Sequence, residues 1–367
     1  MSKWRADRPF NELPAPPSAD TLETKAVLKA AIGAREAVAR LDQASRAMPN
    51  PGVLINTIPL LEAQASSEIE NVVTTSDDLF RHMDDDDSST DPAVRETLRY
   101  RTALHAGFQM VRDRGLTMGT AERVCSTIHA REMSVRSLPG TRIANPATGA
   151  IVYSPPEGAD VIRDKLTHWE RFVHAGDGLD PLVRMAAAHY QFEAIHPFSD
   201  GNGRTGRILN VLMLVEAGLL HMPVLYLSRY IIRTKDDYYR LLREVTSAGN
   251  WEEWILYVLA GVERTSTATV AKISATRELQ MDFARRARAV SKGGADAEFL
   301  AVLFEQPYCR IATVIERCGV SRPTATRWLS ELAAAGLLDD HKVGRDRLFI
   351  NREFLTLLLS EQGEEGR

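Results

Sequence analysis

A mainly α-helical fold, with one isolated β-hairpin in the middle and a small α+β domain at the C-terminal end, is what these 367 residues predict. Three observations predict it. Apolar residues recur at three- and four-residue spacing along most of the chain, the period of a helical face. Strict alternation appears in one central stretch, "RSLPGTRIANPATGAIVYSPP", where Ile143, Ile151 and Tyr153 flank "NPATG", a hairpin signal. From about Glu298 the pattern becomes helix, tight turn, helix and an alternating pair. With 44% hydrophobic residues the chain can bury a sizeable core, and its length suggests more than one domain.

The elements follow in order. "RPFNELPAPPSAD" is proline-rich and should lie extended on the surface of the next domain. Leu22, Val27, Leu28, Ala31 and Ala37 mark a helix from Thr21 to about Ser45. "NPGVLINTIPLLEAQASSEIENVV" reads as a helix, a brief break near Ser66 and a short second helix. "MDDDDSSTDP" is an acidic loop whose end, Asp91-Pro92, is an N-cap with proline at the first helical position, opening a helix to about Arg114. After a further helix in "TAERVCSTIHAREMS" comes the hairpin. Asp180-Pro181 caps the next helix, "TKDDYYRLLREVTSAG" is another, and a long one runs from Trp251 towards Val290. "SKGGADA" reads as a linker.

Bulk properties exclude several roles. A net charge of −4 gives no basic excess for non-specific binding to nucleic acid or acidic lipid. Cys125, Cys309 and Cys318 form no CxxC pair, which argues against a disulfide framework and a zinc site. "MSKWRADRPF" lacks the apolar core of a signal peptide, and runs such as "ILNVLMLVEAGLL" are too short to cross a bilayer. A soluble, cytoplasmic protein without membrane association is the expectation.

The chemistry concentrates in "AIHPFSDGNGRTGRILNVLML", residues 194 to 214. Two strongly apolar helices enclose a turn with three glycines, an aspartate, an asparagine and two arginines. A helix N-terminus presents free N–H groups and partial positive charge, and so favours anions. Gly201, Gly203 and Gly206 permit close backbone approach. Arg204 and Arg207 add guanidinium forks suited to phosphate oxygens. Asp200, an acid among cations, suits a hard metal ion such as Mg²⁺ held beside a polyphosphate. His196 stands at the preceding helix end, where it could take a proton from a hydroxyl. No GxxxxGK[ST] occurs, so this is not a P-loop.

"HPFSDGNGRTGR" resembles the signature of the Fic (filamentation induced by cAMP) family, HxFx[DE]GNGRxxR, at every specified position from His196 to Arg207. The resemblance implies a Fic-type helical core and protein adenylyltransferase activity, the transfer of AMP from ATP to a Ser, Thr or Tyr hydroxyl of a target protein. It implies His196 as general base, Asp200 as the Mg²⁺ ligand, an anion hole from the amides around Asn202 and Gly203, Arg204 on the phosphate chain and Arg207 on the γ-phosphate. Phe198 would fill the core under the loop, with Gly201 and Gly206 shaping the ATP site. The hairpin, with Ile151 and Val152, resembles the flap that covers the site and pairs with a target's backbone. "DDYYRLLREV" resembles the segment that closes over the adenine, with Tyr239 and Tyr238 against the base. Read without the resemblance, the two tyrosines are helix core.

Upstream, "SSEIEN" matches the family's inhibitory motif [ST]xxxE[GN] with Ser66, Glu70 and Asn71. The resemblance implies that Glu70 pairs with Arg207 and blocks the γ-phosphate. The alternative is a capping box with Ser67 as N-cap and Glu70 at the third helical position. Both can hold together.

The end of the chain, "RIATVIERCGVSRPTATRWLSELAAAGLLDDHKVGRDRLFINREF", has a winged helix-turn-helix pattern. Arg322, Thr324, Thr326 and Arg327 would face outward on its second helix, and Arg345 and Arg347 would lie on the wing. DNA is one candidate partner; a protein-interaction or dimer module is the other reading, and the resemblance favours a homodimer. The expected divisions are an N-terminal extension with the inhibitory helix at 1–92, a catalytic core at 93–290 and the C-terminal domain at 291–367. Two rival activities remain beside auto-inhibited transfer: removal of AMP from proteins at the same site, and a DNA-binding regulator that senses nucleotide.

Overall fold

The structure, a computed structural model, describes residues 4–48, 52–83, 91–144, 148–343 and 346–360. The acidic loop, the first part of the hairpin turn and Arg345 fall outside the described residues.

A buried helical pair forms the centre. Helix α8 (Pro181–Ile195) hides every residue except Pro181 and Glu193, and α9 (Asn202–Glu216) hides all but Gly203 from Asn202 to Leu214. Helices that are apolar all round require cover on every side, and the remaining elements supply it. Helix α5 (Pro92–Arg114) opens as expected, with the Asp91 carboxylate accepting from the Ala93 N–H and Pro92 in the first turn. It packs on α6 (Met118–His129) and on α9. Helix α7 (Ala159–Val173) covers α8. Helix α12 (Trp251–Val290), the long helix expected from the sequence, runs beside α2 (Lys25–Arg46). Helix α2 buries Val27, Ala31, Ala34, Val38 and Leu41 on one face. Two short helices, α10 (Ser228–Arg233) and α11 (Lys235–Ala248), bridge α9 to α12.

The extended N-terminal segment lies across the surface, as its prolines suggested. Phe10 N–H donates to the Ser154 carbonyl, and Gln191 Nε2 to that of Pro14. The first helix is divided: α1 (Ala19–Leu22) precedes α2, because Thr24 caps the longer helix by accepting from Val27 N–H.

The break expected near Ser66 is absent. Helix α3 (Gly52–Ile69) continues through both serines with Pro59 inside it. It ends at Asn71, which takes a left-handed conformation (φ 64°) while Val72 N–H closes onto the Ser67 carbonyl. The capping-box reading fails for the same reason: Glu70 follows the end of a helix and does not sit in a first turn. After it, Thr75 caps α4 (Ser76–His82).

The hairpin pairs β1 (Ile143–Ala144) with β2 (Ile151–Tyr153) in antiparallel register, Ile143 opposite Tyr153. "SKGGADA" is not a loose linker. Residues Lys292–Ala295 form a tight 3₁₀ turn in which Gly293 and Gly294 are buried. A Cβ on Gly294 would lie 2.2 Å from the backbone carbon of Ala287, so only glycine lets the chain fold back there.

Beyond it come α13 (Ala297–Glu305), β3 (Tyr308–Arg310), α14 (Ile311–Cys318), α15 (Arg322–Ala334), β4 (Asp339–Val343), β5 (Asp346–Ile350) and α16 (Arg352–Leu359). The strands order β3-β5-β4, all antiparallel; the sequence indicated the β4–β5 pair and not β3. This C-terminal unit docks on the N-terminal helices. Thr57 Oγ1 of α3 donates to the Glu305 carbonyl at 3.2 Å. The Tyr308 ring stacks on Phe80 of α4 at 6.1 Å, its hydroxyl bonds Asp77, and Arg310 bonds the Arg81 carbonyl at 3.2 Å. Among the described residues no helix is long and apolar enough to cross a membrane.

Candidate active site

The turn between α8 and α9 is held by its own residues. His196 ends α8 in a left-handed conformation (φ 51°), its N–H on the Phe192 carbonyl, and Pro197 prevents continuation. The Asn202 side chain spans the loop, accepting from Phe198 N–H and donating to the Phe198 carbonyl, both at 2.8 Å. The Asn202 side chain is therefore a strut across the loop, with both its polar atoms engaged. Phe198 is wholly buried beneath the loop and has no surface to offer a nucleotide. Gly201 (φ 79°) precedes α9, where a Cβ would meet His129 Nε2 at 2.5 Å.

Arg136, which no pattern in the sequence singles out, fixes this turn from behind. It is buried, its backbone N–H reaches the Pro197 carbonyl, and its guanidinium bonds the carbonyls of His196, Ile195 and Pro156. Burial, with the Arg136 charge nearby, pushes the His196 imidazole down to about 4. His196 is thus neutral at physiological pH, with Nδ1 turned into the protein. Tyr153 of the hairpin adds a bond from its hydroxyl to the Ala194 carbonyl, anchoring the flap to α8. Ile151 beside it is exposed and Val152 half-buried.

The first turn of α9 faces acids. Arg204 pairs with Glu96 of α5, another partner the sequence did not indicate, and lies 3.9 Å from Asp200. The Asp200 side chain stays largely exposed, one oxygen accepting from Gly201 N–H at 2.6 Å. Arg207, 2% exposed, is surrounded. Its Nε donates to Ser66 Oγ at 2.8 Å, and its Nη2 to the Ser66 carbonyl at 2.9 Å and to Glu70 Oε1 at 2.8 Å. The same Glu70 oxygen lies 2.3 Å from where a Cβ of Gly203 would stand. The carboxylate therefore rests directly over the open first turn of α9, where the absence of a side chain makes room. Asn71 accepts from Lys235 Nζ at 3.4 Å, tying this turn to α11.

Two more carboxyls lie near enough to feel the charge of Arg207. Glu62 of α3 accepts from Ser228 N–H at 3.0 Å and also from the Ser228 and Tyr100 hydroxyls. Glu193 of α8 presses one oxygen against Gly206, where a Cβ would come within 2.4 Å. Burial raises both to about 7. For Arg207 itself burial opposes the charge, but Glu70, Tyr238, Tyr100 and Glu193 more than offset it, and its pKa rises. Tyr238 is buried with its hydroxyl on His189 Nε2 at 2.9 Å, so it belongs to the core and not to a base-stacking wall. Tyr239 is 45% exposed and stands free to do so.

Three family models match in series along the chain: the Fic/DOC family N-terminal model at residues 28–109, the Fic/DOC family model at 120–214, and the C-terminal domain model of SoFic-like protein adenylyltransferases at 285–354. The chain is a Fic/DOC family protein. A probable protein adenylyltransferase of Aquifex aeolicus is 28% identical over 226 residues, covering 59% of this chain and 62% of its own. Protein adenylyltransferase fic-1 of Caenorhabditis elegans is 38% identical over 80 residues, 22% of this Fic chain but only 14% of the relative's length. In fold, a Fic family protein from Desulfovibrio desulfuricans G20 superposes with a TM-score of 0.54 at 19% identity, covering 92% of this chain and 98% of that one.

Proposed function

We propose that this protein transfers AMP from ATP to a hydroxyl of a Ser, Thr or Tyr residue on a target protein, and that Glu70 holds the reaction off. The relatives' names support adenylyl transfer. The observation that carries the inhibited reading is the Glu70 carboxylate, which lies over Gly203 and on Arg207 in an anion site built from free amides and a guanidinium. A carboxylate there stands where a terminal phosphate would bind.

With Glu70 displaced, the α9 amides and Arg207 would receive the phosphate chain, and Tyr239 would lie against the adenine. Neutral His196 would take the proton of the target hydroxyl as its oxygen bonds to the α-phosphorus. The bond from that phosphorus to the bridging oxygen breaks, and pyrophosphate leaves. Arg136 keeps His196 in place. Asp200, an exposed carboxylate at the mouth, fits a hard cation held by one protein oxygen and substrate phosphates. Among the described residues no cluster of three or more ligating side chains forms a protein cage for a metal. Mg²⁺ bound there would neutralise charge on the phosphates.

Incubation with α-labelled ATP tests this. Glu70→Gly should label itself or a lysate target about 10²-fold faster than wild type, because a reacting atom misplaced by about 1 Å costs roughly that factor. His196→Ala in the same background should bind ATP within a few fold and transfer nothing. Equal labelling by Glu70→Gly and wild type overturns the inhibitory role of Glu70. Loss of label from a premodified target, without transfer, would favour AMP removal.

A further inference from the structure

Three carboxyls act on the charge of one buried guanidinium, and they are not equivalent. Glu70 is bonded to Arg207. Glu62 has its own donors in Ser228 and Tyr100. Glu193 is half-buried, and its inward oxygen Oε1 has no hydrogen bond. An inward carboxyl oxygen left without a donor works against the fold, since burial strips it of water and nothing replaces the lost bond. The chain nevertheless makes room for it, because only glycine at 206 leaves space for the Glu193 oxygen against α9.

We propose that Glu193 is a positioning residue that sets the effective charge of Arg207, and thereby how strongly the site holds the terminal phosphate of its nucleotide once Glu70 has withdrawn. This rests on the nucleotide reading above. When Glu70 leaves, Arg207 keeps the two Ser66 oxygens as partners but loses its bonded carboxylate. Glu193 is the neighbouring carboxyl with free acceptor capacity. Ionised, it neutralises part of the guanidinium and weakens the grip on phosphate. Protonated, it leaves the full positive charge to the ligand.

Burial places that change near neutral pH, Glu193 being raised to about 7 against the opposing pull of Arg207. The other groups facing it are Arg207 on α9, Glu70 beyond α3, and Tyr238 and Tyr239 on α11. On its own helix stand His189, depressed to about 3, and His196, depressed to about 4. Both tyrosines are raised and both histidines lowered, so none of these four titrates between pH 6 and 8.

The experiment compares ATP dissociation constants, by calorimetry, of Glu70→Gly and of Glu70→Gly with Glu193→Gln, from pH 5.5 to 8.5. Ligand titration and all other groups cancel in the ratio. The ratio of the single variant's constant to the double variant's should be near one at pH 5.5 and rise to about tenfold at pH 8.5, the size expected for one added charge beside a partly screened guanidinium. A constant ratio across the range overturns the proposal and makes Glu193 a packing residue. If the glutamine variant does not fold, Glu193→Ala removes the same charge with less steric demand and must give the same slope. Absence of ATP binding by Glu70→Gly itself would instead strike the nucleotide reading, so the two failures are distinguishable.

Discussion

Arginine is used in opposite ways at the two ends of this molecule. Around the α8–α9 turn, Arg136, Arg204 and Arg207 are buried, and each reaches acceptors distant in sequence. Among the described residues of the C-terminal unit the arginines are half or fully exposed, and several pair with acids of the same unit: Arg317 with Glu298 and Glu305, Arg347 with Asp340, Arg352 with Asp339. The first kind commits the fold to one geometry, because an unpaired buried charge or carbonyl is costly. The second kind is screened by water and salt and adds little. The difference bears on partners. A recognition helix that binds DNA needs cations available to phosphates. Arg322 and Arg327 of α15 are exposed, but Arg327 has Glu331 at 3.9 Å and the wing's Arg347 is already neutralised by Asp340. Among the described residues, these pairs leave fewer cations of α15 and the wing open to phosphates.

The largest test of the comparison is Arg136→Ala. It strands several buried carbonyls, each worth about 1–3 kcal/mol, so a stability loss of about 3 kcal/mol is expected in denaturant melts. In a Glu70→Gly background, kcat should also fall about 10²-fold, since His196 loses its support. A variant as stable and active as its parent would remove Arg136 from the site.

A middle-sized effect concerns acid. With His196 held down to about 4, its base form persists well below the usual histidine range. The kcat of Glu70→Gly should therefore stay level from pH 8 to about 5 and decline only as His196 protonates below that. A decline centred near 6.5 would mean that His196 is solvated like an ordinary histidine.

The smallest effect lies on the wing. Arg347→Ala should change stability by no more than about 0.5 kcal/mol. Full-length protein should retain no genomic DNA fragment in gel shifts at about 0.15 M salt. A retained fragment, released steeply as salt rises, would reverse the reading of the C-terminal arginines.

The helical core and the site loop were readable from sequence because they rest on local rules. Periodicity, the Asp-Pro caps and the glycines of the turn each act within a few residues. The flaws have equally physical origins. Ser66 and Ser67 look like a helix start, but the hydroxyl of Ser66 is engaged by an arginine 141 positions away, so the helix continues. Tyr238 and Tyr239 are indistinguishable as letters; the helix turns one into the core and leaves the other at the mouth. Arg136, Glu96 and Glu193 carry no local signal, since their roles depend on which helices meet. "SKGGADA" has a linker's composition, yet its glycines serve close packing.

The docking of the C-terminal unit on α3 and α4 also has a consequence for synthesis. The Ser66, Glu70 and Arg207 contact uses residues that have all been made once α9 emerges from the ribosome. Thr57 finds its partner only once α13 is made, and Asp77, Phe80 and Arg81 only after β3 follows, with the whole of α12 translated in between. Domains form in order as the chain appears. The helix that carries the brake can therefore meet its arginine early, while its outer face waits for the last part of the polypeptide to seal it.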